Sequence, residues 1–432
     1  MPIRMPLMIP ICVCLSLTIA SCGGGGGGGD NDQPPGDTTP TGSVDKWGLW
    51  SNGVRLRGAN IYQRRVNIEL DGSEFMGPGP IGPPYTQQDM DNLAALGANY
   101  VNISHPGIYT TSSPYAVDAD SQSNLDKLIA MATEADMFVV ISFRTGPGRS
   151  EWAIFPGEDW YPQELFIDDI WTSTAAQDAW AGMWAYTASR YRDNPVVVGY
   201  DLMVEPNSSV SSLGQTSFDP DEFYPQYANT TYDWNPLAAS ITSAIRGVDA
   251  DTPILMGGAG YSAVAWLPFI VATGDSKTVY TIHQYEPQDS YTHQEANGTV
   301  TYPGSLDLDY DNQPDTFDSS FFTGLMQNID AFIASNGAPM AVNEFGVHRW
   351  VSGGDQYMDD QMSLFETRGM NHALWWWGPS LEAFNTEENA FTFIFGPDPS
   401  HTTVVGTSGL IEVIRKYWAM NTHRPSNYIG TQ

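Results

Sequence analysis

Short apolar, β-branched runs alternate along this chain with longer alanine-rich runs whose apolar positions recur at helical spacing. Leu56 to Ile61 is followed by a helical run around Gln88 to Leu96, Tyr100 to Ser104 by Asn124 to Ala135, and Phe138 to Phe143 by about Ala175 to Tyr191. Val196 to Glu205 precedes Leu237 to Val248, and Ile254 to Gly257 precedes a weak helix near Ala263 to Ala272. Thr278 to Tyr285 precedes Phe321 to Ala334, Met340 to Glu344 precedes Asp355 to Arg368, and His372 to Trp376 precedes Gly409 to Tyr417. Such regular strand–helix alternation predicts an α/β protein with a single (β/α)8 barrel of the TIM type. No internal repeat stands out and no second domain is needed.

Two strands end in a way that draws the eye to their last residues. The run VVVGYDLMVEPN, Val196 to Asn207, reads as a strand buried on both faces and stops at Glu205-Pro206, because proline cannot continue a central strand. PMAVNEFG, Pro339 to Gly346, repeats the arrangement with Glu344 before a glycine turn. Parallel barrels keep their chemistry at the C-terminal ends of the strands, so two carboxylates are expected at one mouth.

Composition narrows the possible partners. With 18 Lys plus Arg against 50 Asp plus Glu, the net charge is −32 over 432 residues, a surface that repels phosphate backbones and makes nucleic acid an unsuitable partner. The same acidity fits a soluble protein working outside the cell, in salty water or simply kept soluble by charge. At the N-terminus, Arg4 precedes an apolar run from Met5 to Ala20 that is short for a membrane span, and Ile19-Ala20-Ser21-Cys22 follows. This resembles a bacterial lipoprotein signal over residues 1–22, in which Cys22 becomes lipidated; an ordinary cleaved signal peptide is the alternative. All three cysteines, Cys12, Cys14 and Cys22, lie here, so the remaining chain has no disulfide, thiol nucleophile or cysteine metal site. Residues 23–43, seven glycines and then an Asp/Pro/Thr-rich run, predict a flexible tether, with the barrel spanning 44–432.

The loops after the strands are long and aromatic. Trp152, Trp160 and Tyr161 follow strand three, Phe223, Tyr224, Tyr227 and Trp234 follow strand four, and Trp375 to Trp377 close strand eight. Flat apolar rings beside polar side chains suit sugar faces, although any of these rings can instead pack its loop down. Glycoside cleavage needs one carboxylic acid to protonate the leaving oxygen and a second carboxylate as nucleophile or base, the parts Glu205 and Glu344 can play. In TVYTIHQYEP, His283 and Tyr285 are two apart on a strand and share a face, so the histidine is placed to tune the acid and the tyrosine hydroxyl to hold the nucleophile.

RGANI at Arg57, MVEPN at Met203, WNPLAASITSAIRGVDADTPI from Trp234, IHQYEP at Ile282, NEFGV at Asn343 and ALWWW at Ala373 occur in one order over residues 45–420. In this order they resemble glycoside hydrolase family 5, the cellulase-type retaining barrels. The resemblance implies Glu205 as acid/base, Glu344 as nucleophile, His283 and Tyr285 as their partners, and Trp375 as a sugar platform. Trp377, Trp152 and Trp234 are further candidate substrate contacts. The chain departs from the family at three places. Val204 stands where an asparagine would bind the sugar 2-hydroxyl, and Asn102 stands where strand two should end in arginine. Arg144 and Arg149 stand where strand three should end in histidines. Arg144 is expected to replace the lost positive charge beside Glu344. Asn207 or His105 is the candidate for the hydroxyl contact that Val204 cannot make.

Asp307, Asp309, Asp311 and Asp318, in DLDYDNQPDTFD, have the alternating spacing of a calcium loop, with Asn312 where glycine is usual. A structural calcium is therefore a candidate ligand; no organic cofactor or catalytic metal is implied. Together these features predict a monomeric hydrolase of internal β-glycosidic bonds, with a β-glucan or β-mannan as polysaccharide or oligosaccharide substrate. It would be lipid-anchored in the bacterial cell envelope, at the outer membrane or cell surface, or secreted. The alternative is an impaired barrel that only binds polysaccharide at the surface.

Overall fold

All eight expected strands form and pair in parallel: β1 (Arg57–Tyr62), β2 (Tyr100–His105), β3 (Phe138–Phe143), β4 (Val197–Asp201), β5 (Ile254–Gly257), β6 (Thr278–Gln284), β7 (Met340–Phe345) and β8 (Asn371–Leu374). Each strand pairs with its sequence neighbours and β8 returns to β1, closing the barrel. The computed structural model describes residues 42–71, 76–157, 161–214, 219–309, 311–378 and 386–430, all within one unit, Thr38–Gln432. The signal segment with Cys22, nearly all of the tether, and Trp160 lie outside the described residues.

Seven of the expected helices wrap the barrel: α1 (Gln87–Ala95), α2 (Ala119–Glu134), α3 (Thr174–Tyr191), α4 (Trp234–Arg246), α5 (Ser319–Asn336), α6 (Gly354–Thr367) and α7 (Gly409–Trp418). Side-chain caps fix most of their starts, as where Asp118 accepts from Asp120 and Ser121 at α2. The weak helix expected near Ala263 to Ala272 is instead a 3₁₀ turn, Val264–Phe269, with Pro268 inside it. A proline there has no N–H to continue an α-helical ladder. None of the described helices is long and apolar enough to cross a membrane.

Strand alternation sorts the side chains into an outer and an inner set. Val101, Ile103, Val139, Ile141 and Ile282 join the main core under the helices. Inside, the lower layer is apolar, with Tyr100, Phe138, Val140, Leu255 and Val279 packed around Trp50, whose indole N–H donates to the Val198 carbonyl at 2.9 Å. At the next inward position along these strands the lining turns polar: Asn60, Asn102, Ser142, Asp201 and Asn343, all buried. A closed apolar floor beneath a hydrogen-bonded layer leaves the mouth above it for chemistry. The described parts of the long loops between 144 and 173, 202 and 233, 285 and 318, and 375 and 408 follow the strands at that end.

Candidate active site

Glu205 lies four residues beyond the end of β4, with φ at +52°, a left-handed conformation that disfavours a side chain with a Cβ. A buried arginine holds it there. Arg149 donates from Nη1 to the carbonyls of Arg144 (2.9 Å) and Val204 (2.8 Å), and from Nη2 to the Glu205 carbonyl (2.7 Å) and Asn207 Oδ1 (3.1 Å). Burial lowers its pKa to about 10, with nearby Asp168 and Glu205 opposing, so it remains a cation at neutral pH.

Glu344 owes its direction to a β-bulge. On β7, Met340 and Val342 face the helices; regular alternation would turn Glu344 outward too. Register slips between Val342 and Glu344 against β6, and between Val342 and Phe345 against β8. The extra residue turns both Asn343 and Glu344 inward and returns Phe345 to the outer core. The polar layer braces this bulge. Asn60 Nδ2 donates to the Asn343 carbonyl at 2.8 Å, Asn343 Nδ2 to Asp201 Oδ2 at 2.7 Å, and Asn102 Nδ2 to Asn60 Oδ1 at 2.8 Å. Ser142 Oγ lies 2.6 Å from Asn102 Oδ1 and 2.9 Å from Asp201 Oδ2. Burial raises Asp201 to about 7.

His283 bridges the two glutamates, its Nδ1 being 2.9 Å from Glu205 Oε1 and 3.4 Å from Glu344 Oε2. The Tyr285 hydroxyl donates to Glu344 Oε1 at 3.0 Å. Ligand atoms of Glu205, His283 and Glu344 all lie within 4.8 Å of one another. An ion gripped there would displace the proton on Nδ1, so the hydrogen-bonded and ion-bound arrangements exclude each other.

Burial pushes Glu344 above the usual carboxylate range; the Glu205 charge adds to this, while His283, Arg144 and Tyr285 pull against it. Burial acts on Glu205 too, but the hydrogen bond and charge of His283 outweigh it, helped by Arg144 and Arg149, and hold Glu205 low. Burial would depress His283, yet Glu344 and Glu205 carry it above its ordinary value. The last two shifts describe one proton on one hydrogen bond. On His283 it leaves Glu205 ionised; passed across this 2.9 Å hydrogen bond it makes Glu205 an acid.

Arg144, inward-facing like Val140 and Ser142, spans Tyr62 and Trp375 with its guanidinium 5.3 and 5.2 Å from their ring centroids, and its Nε donates to Ser104 Oγ at 3.1 Å. Its charge acts on both glutamates. Trp375 thus sits in the mouth, edge-on to Tyr62 at 6.0 Å.

Other candidate residues lie away from the carboxylates. Asn102 is part of the polar layer. His105 shares the outward face of Val101 and Ile103 and meets Asn124 of α2 at 3.2 Å; burial lowers its pKa to about 3. Asn207 is fully buried, its amide donating to the Ala153 carbonyl at 2.9 Å and the Tyr261 hydroxyl at 3.2 Å while its oxygen receives Arg149, so it buttresses the Glu205 turn. Trp234 donates to the Gly257 carbonyl and Trp377 to the Asp89 carbonyl, both rings buried, and Trp152 stacks on Tyr161 at 5.2 Å. Trp234 and Trp377 are thus engaged in packing the fold, and Trp152 in a ring stack within its own loop.

The acidic loop also departs from its expected form. Asp307 and Asp309 converge with Asp315, not with Asp311 and Asp318. Asp318 caps α5 by accepting from Ser320, and Asp311 Oδ1 accepts from Gln313. Asn312 does take the left-handed conformation, φ +66°.

Phenylalanine at Tyr285 removes a hydrogen bond that lowers the Glu344 pKa. The acidic limb of kcat/KM for any reaction that needs Glu344 ionised is expected to move to higher pH. A pH–rate profile with an unmoved limb would separate Tyr285 from the ionised state.

The sequence model of the Cellulase family, glycosyl hydrolase family 5, matches residues 60–381. An endoglucanase from Paenibacillus polymyxa is 26% identical over 317 residues, covering 69% of this chain and 65% of its own length. An endoglycoceramidase from Cyanea nozakii is 25% identical over 254 residues, 48% of this chain and 49% of its own. The chain thus spans about half to two thirds of these curated relatives. Among solved structures, an endoglucanase from the hyperthermophilic Thermotoga maritima superposes with a TM-score of 0.58 at 19% identity, over 86% of this chain and 100% of that one. The same fold is seen in the Thermotoga maritima enzyme with mannotriose, at a TM-score of 0.56 and 18% identity over 84% and 97% of the two chains.

Proposed function

The chain belongs to glycosyl hydrolase family 5, and on that premise we propose that it hydrolyses internal bonds of a β-glucan or β-mannan with retention of anomeric configuration. The observation that carries this reading is the spacing of the pair, with carboxylate oxygens of Glu205 and Glu344 within 4.8 Å. Retaining pairs stand about 5–5.5 Å apart and inverting pairs about 6.5–9.5 Å, the extra room being needed for a water. Glu344 attacks the anomeric carbon while Glu205 protonates the leaving oxygen. Glu205 then takes a proton from the water that releases the sugar. His283 holds the travelling proton next to Glu205 between steps, and Tyr285 and Arg144 favour the ionised form of Glu344.

Reducing-sugar release from a panel of β-glucans, β-mannans and xylans tests the proposal and names the polymer. Retardation of one polymer in an affinity gel with no cleavage of any would instead support a binding protein. Arg144→Ala is expected to lower kcat/KM by about 10²-fold or more, since a preorganised charge beside the developing transition state is lost, with the circular-dichroism spectrum retained. Unchanged turnover would remove Arg144 from the mechanism. The proposal also places the barrel in the bacterial envelope, tethered by lipid on Cys22. Cys22→Ser should then move the protein from the membrane fraction to the soluble one, and continued membrane association would contradict the tether.

A further inference from the structure

The loop after β6 carries His293, which the chemistry above does not use. Its ring packs edge-on against Tyr285 (centroids 5.1 Å), Phe391 (5.1 Å) and, at a tilt, His348 (5.2 Å). The backbone N–H of His348 donates to the Thr292 carbonyl at 2.8 Å, tying the loop after β7 to this one. Rings on three sides and a tied backbone leave His293 little freedom to turn.

Hydrogen-bond bookkeeping fixes its tautomer. Thr292 Oγ1 lies against the carbonyls of Tyr285 and Gln288, acceptors only, so its single proton is committed to them. His293 Nδ1, 3.0 Å from the same oxygen, must therefore carry a proton and donate it. Nε2 is left as a bare acceptor. It makes no hydrogen bond to any described residue, yet it is not sealed from solvent, unlike the buried Nε2 of His348. Burial and the neighbouring His348 lower the His293 pKa to about 3, so the lone pair is free across the working range. Of the two catalytic carboxylates, it is Glu205 whose charge acts on this ring.

Resting on the hydrolase reading, we propose that His293 Nε2 accepts a hydroxyl of the leaving sugar, so that the site favours a hydroxylated leaving group over an apolar one. An acid must lie against the oxygen it protonates, so the departing residue sits beside Glu205. Every sugar unit there offers O–H donors, and a fixed neutral acceptor selects for them: a leaving group without a donor leaves the acceptor dry and unpaired.

The test compares two probes with the full chain: cellopentaose or mannopentaose, whichever the protein cuts faster, and the p-nitrophenyl β-glycoside of the matching disaccharide, whose leaving group has no hydroxyl to donate. In His293→Phe, which keeps a ring among its neighbours, the ratio of kcat/KM for oligosaccharide over aryl glycoside is expected to fall roughly five- to tenfold. His293→Gln, which restores an acceptor, should recover part of it. An unchanged ratio, whether both rates fall together or neither does, overturns the contact and leaves the hydrolase reading standing. Failure of the unmodified protein to cut either probe overturns both.

Discussion

Glutamine at Glu344 is expected to lower kcat by roughly 10⁴-fold or more, the scale seen when one member of a concerted catalytic unit is removed, while thermal stability stays level or rises. The substitution is isosteric, and its amide oxygen can still accept the Tyr285 hydroxyl found at 3.0 Å. What disappears is the carboxylate proposed as nucleophile. Stability should not suffer because the native carboxylate is buried beside Glu205, and burial already pushes its pKa up. A charge held against its solvation preference opposes folding, so neutralising it relieves strain that the site keeps for function. Circular-dichroism melting and steady-state rates on the same preparation check both halves. A large loss of stability would mean that Glu344 is structural.

Methionine at Arg149 should have a comparably large effect by a different route, destabilising the fold by about 3–5 kcal/mol, the range for breaking a buried polar network. Four acceptors lose their donor together: three carbonyls and Asn207 Oδ1. The side chain is fully buried, so water cannot readily replace it. Two of the carbonyls belong to Val204 and Glu205, and Glu205 is the residue at φ +52°. Releasing that turn is expected to let Glu205 drift from His283, so kcat should fall at least tenfold even where the variant is folded, as a small misplacement of a catalytic group does. Lysine should not rescue it, since a point charge cannot reach four acceptors spread across a planar fork. Denaturant unfolding with unchanged stability would show that the turn holds itself.

The barrel was legible in the sequence because a strand buried on both faces has a distinctive apolar run, and eight of them alternating with helical runs admit few arrangements. Glu205 and Glu344 were legible as polar residues closing such runs before a proline and a glycine turn. Strand parity also carried more than the motifs did. Val101, Ile103 and His105 fall on one face and Asn102 and Ser104 on the other, so the outward place of His105 follows from its neighbours. The same parity turns Arg144 inward with Val140 and Ser142, and gathers Asn60, Asn102 and Ser142 into the layer beneath the site. The bulge at Asn343 was not legible, because alternation alone points Glu344 at the helices, and only pairing on both sides reveals the extra residue. Aromatic residues are ambiguous for a related reason. Trp152, Trp234 and Trp377 look like sugar platforms by type, but indole N–H groups and apolar rings serve loop packing equally well, and long-range packing decides between the uses. The calcium spacing named only part of its acidic cluster: Asp307 and Asp309 converge with Asp315, while the acids at 311 and 318 serve a turn and a helix cap.

The most direct test of a carboxylate pair working by double displacement is the configuration of the first product. Proton NMR during the opening minutes of oligosaccharide hydrolysis, before the new reducing end equilibrates, distinguishes its two anomers. With carboxylate oxygens within 4.8 Å, the β-anomer is expected to appear first. The α-anomer appearing first would mean that water attacks directly, and that Glu344 is not the nucleophile.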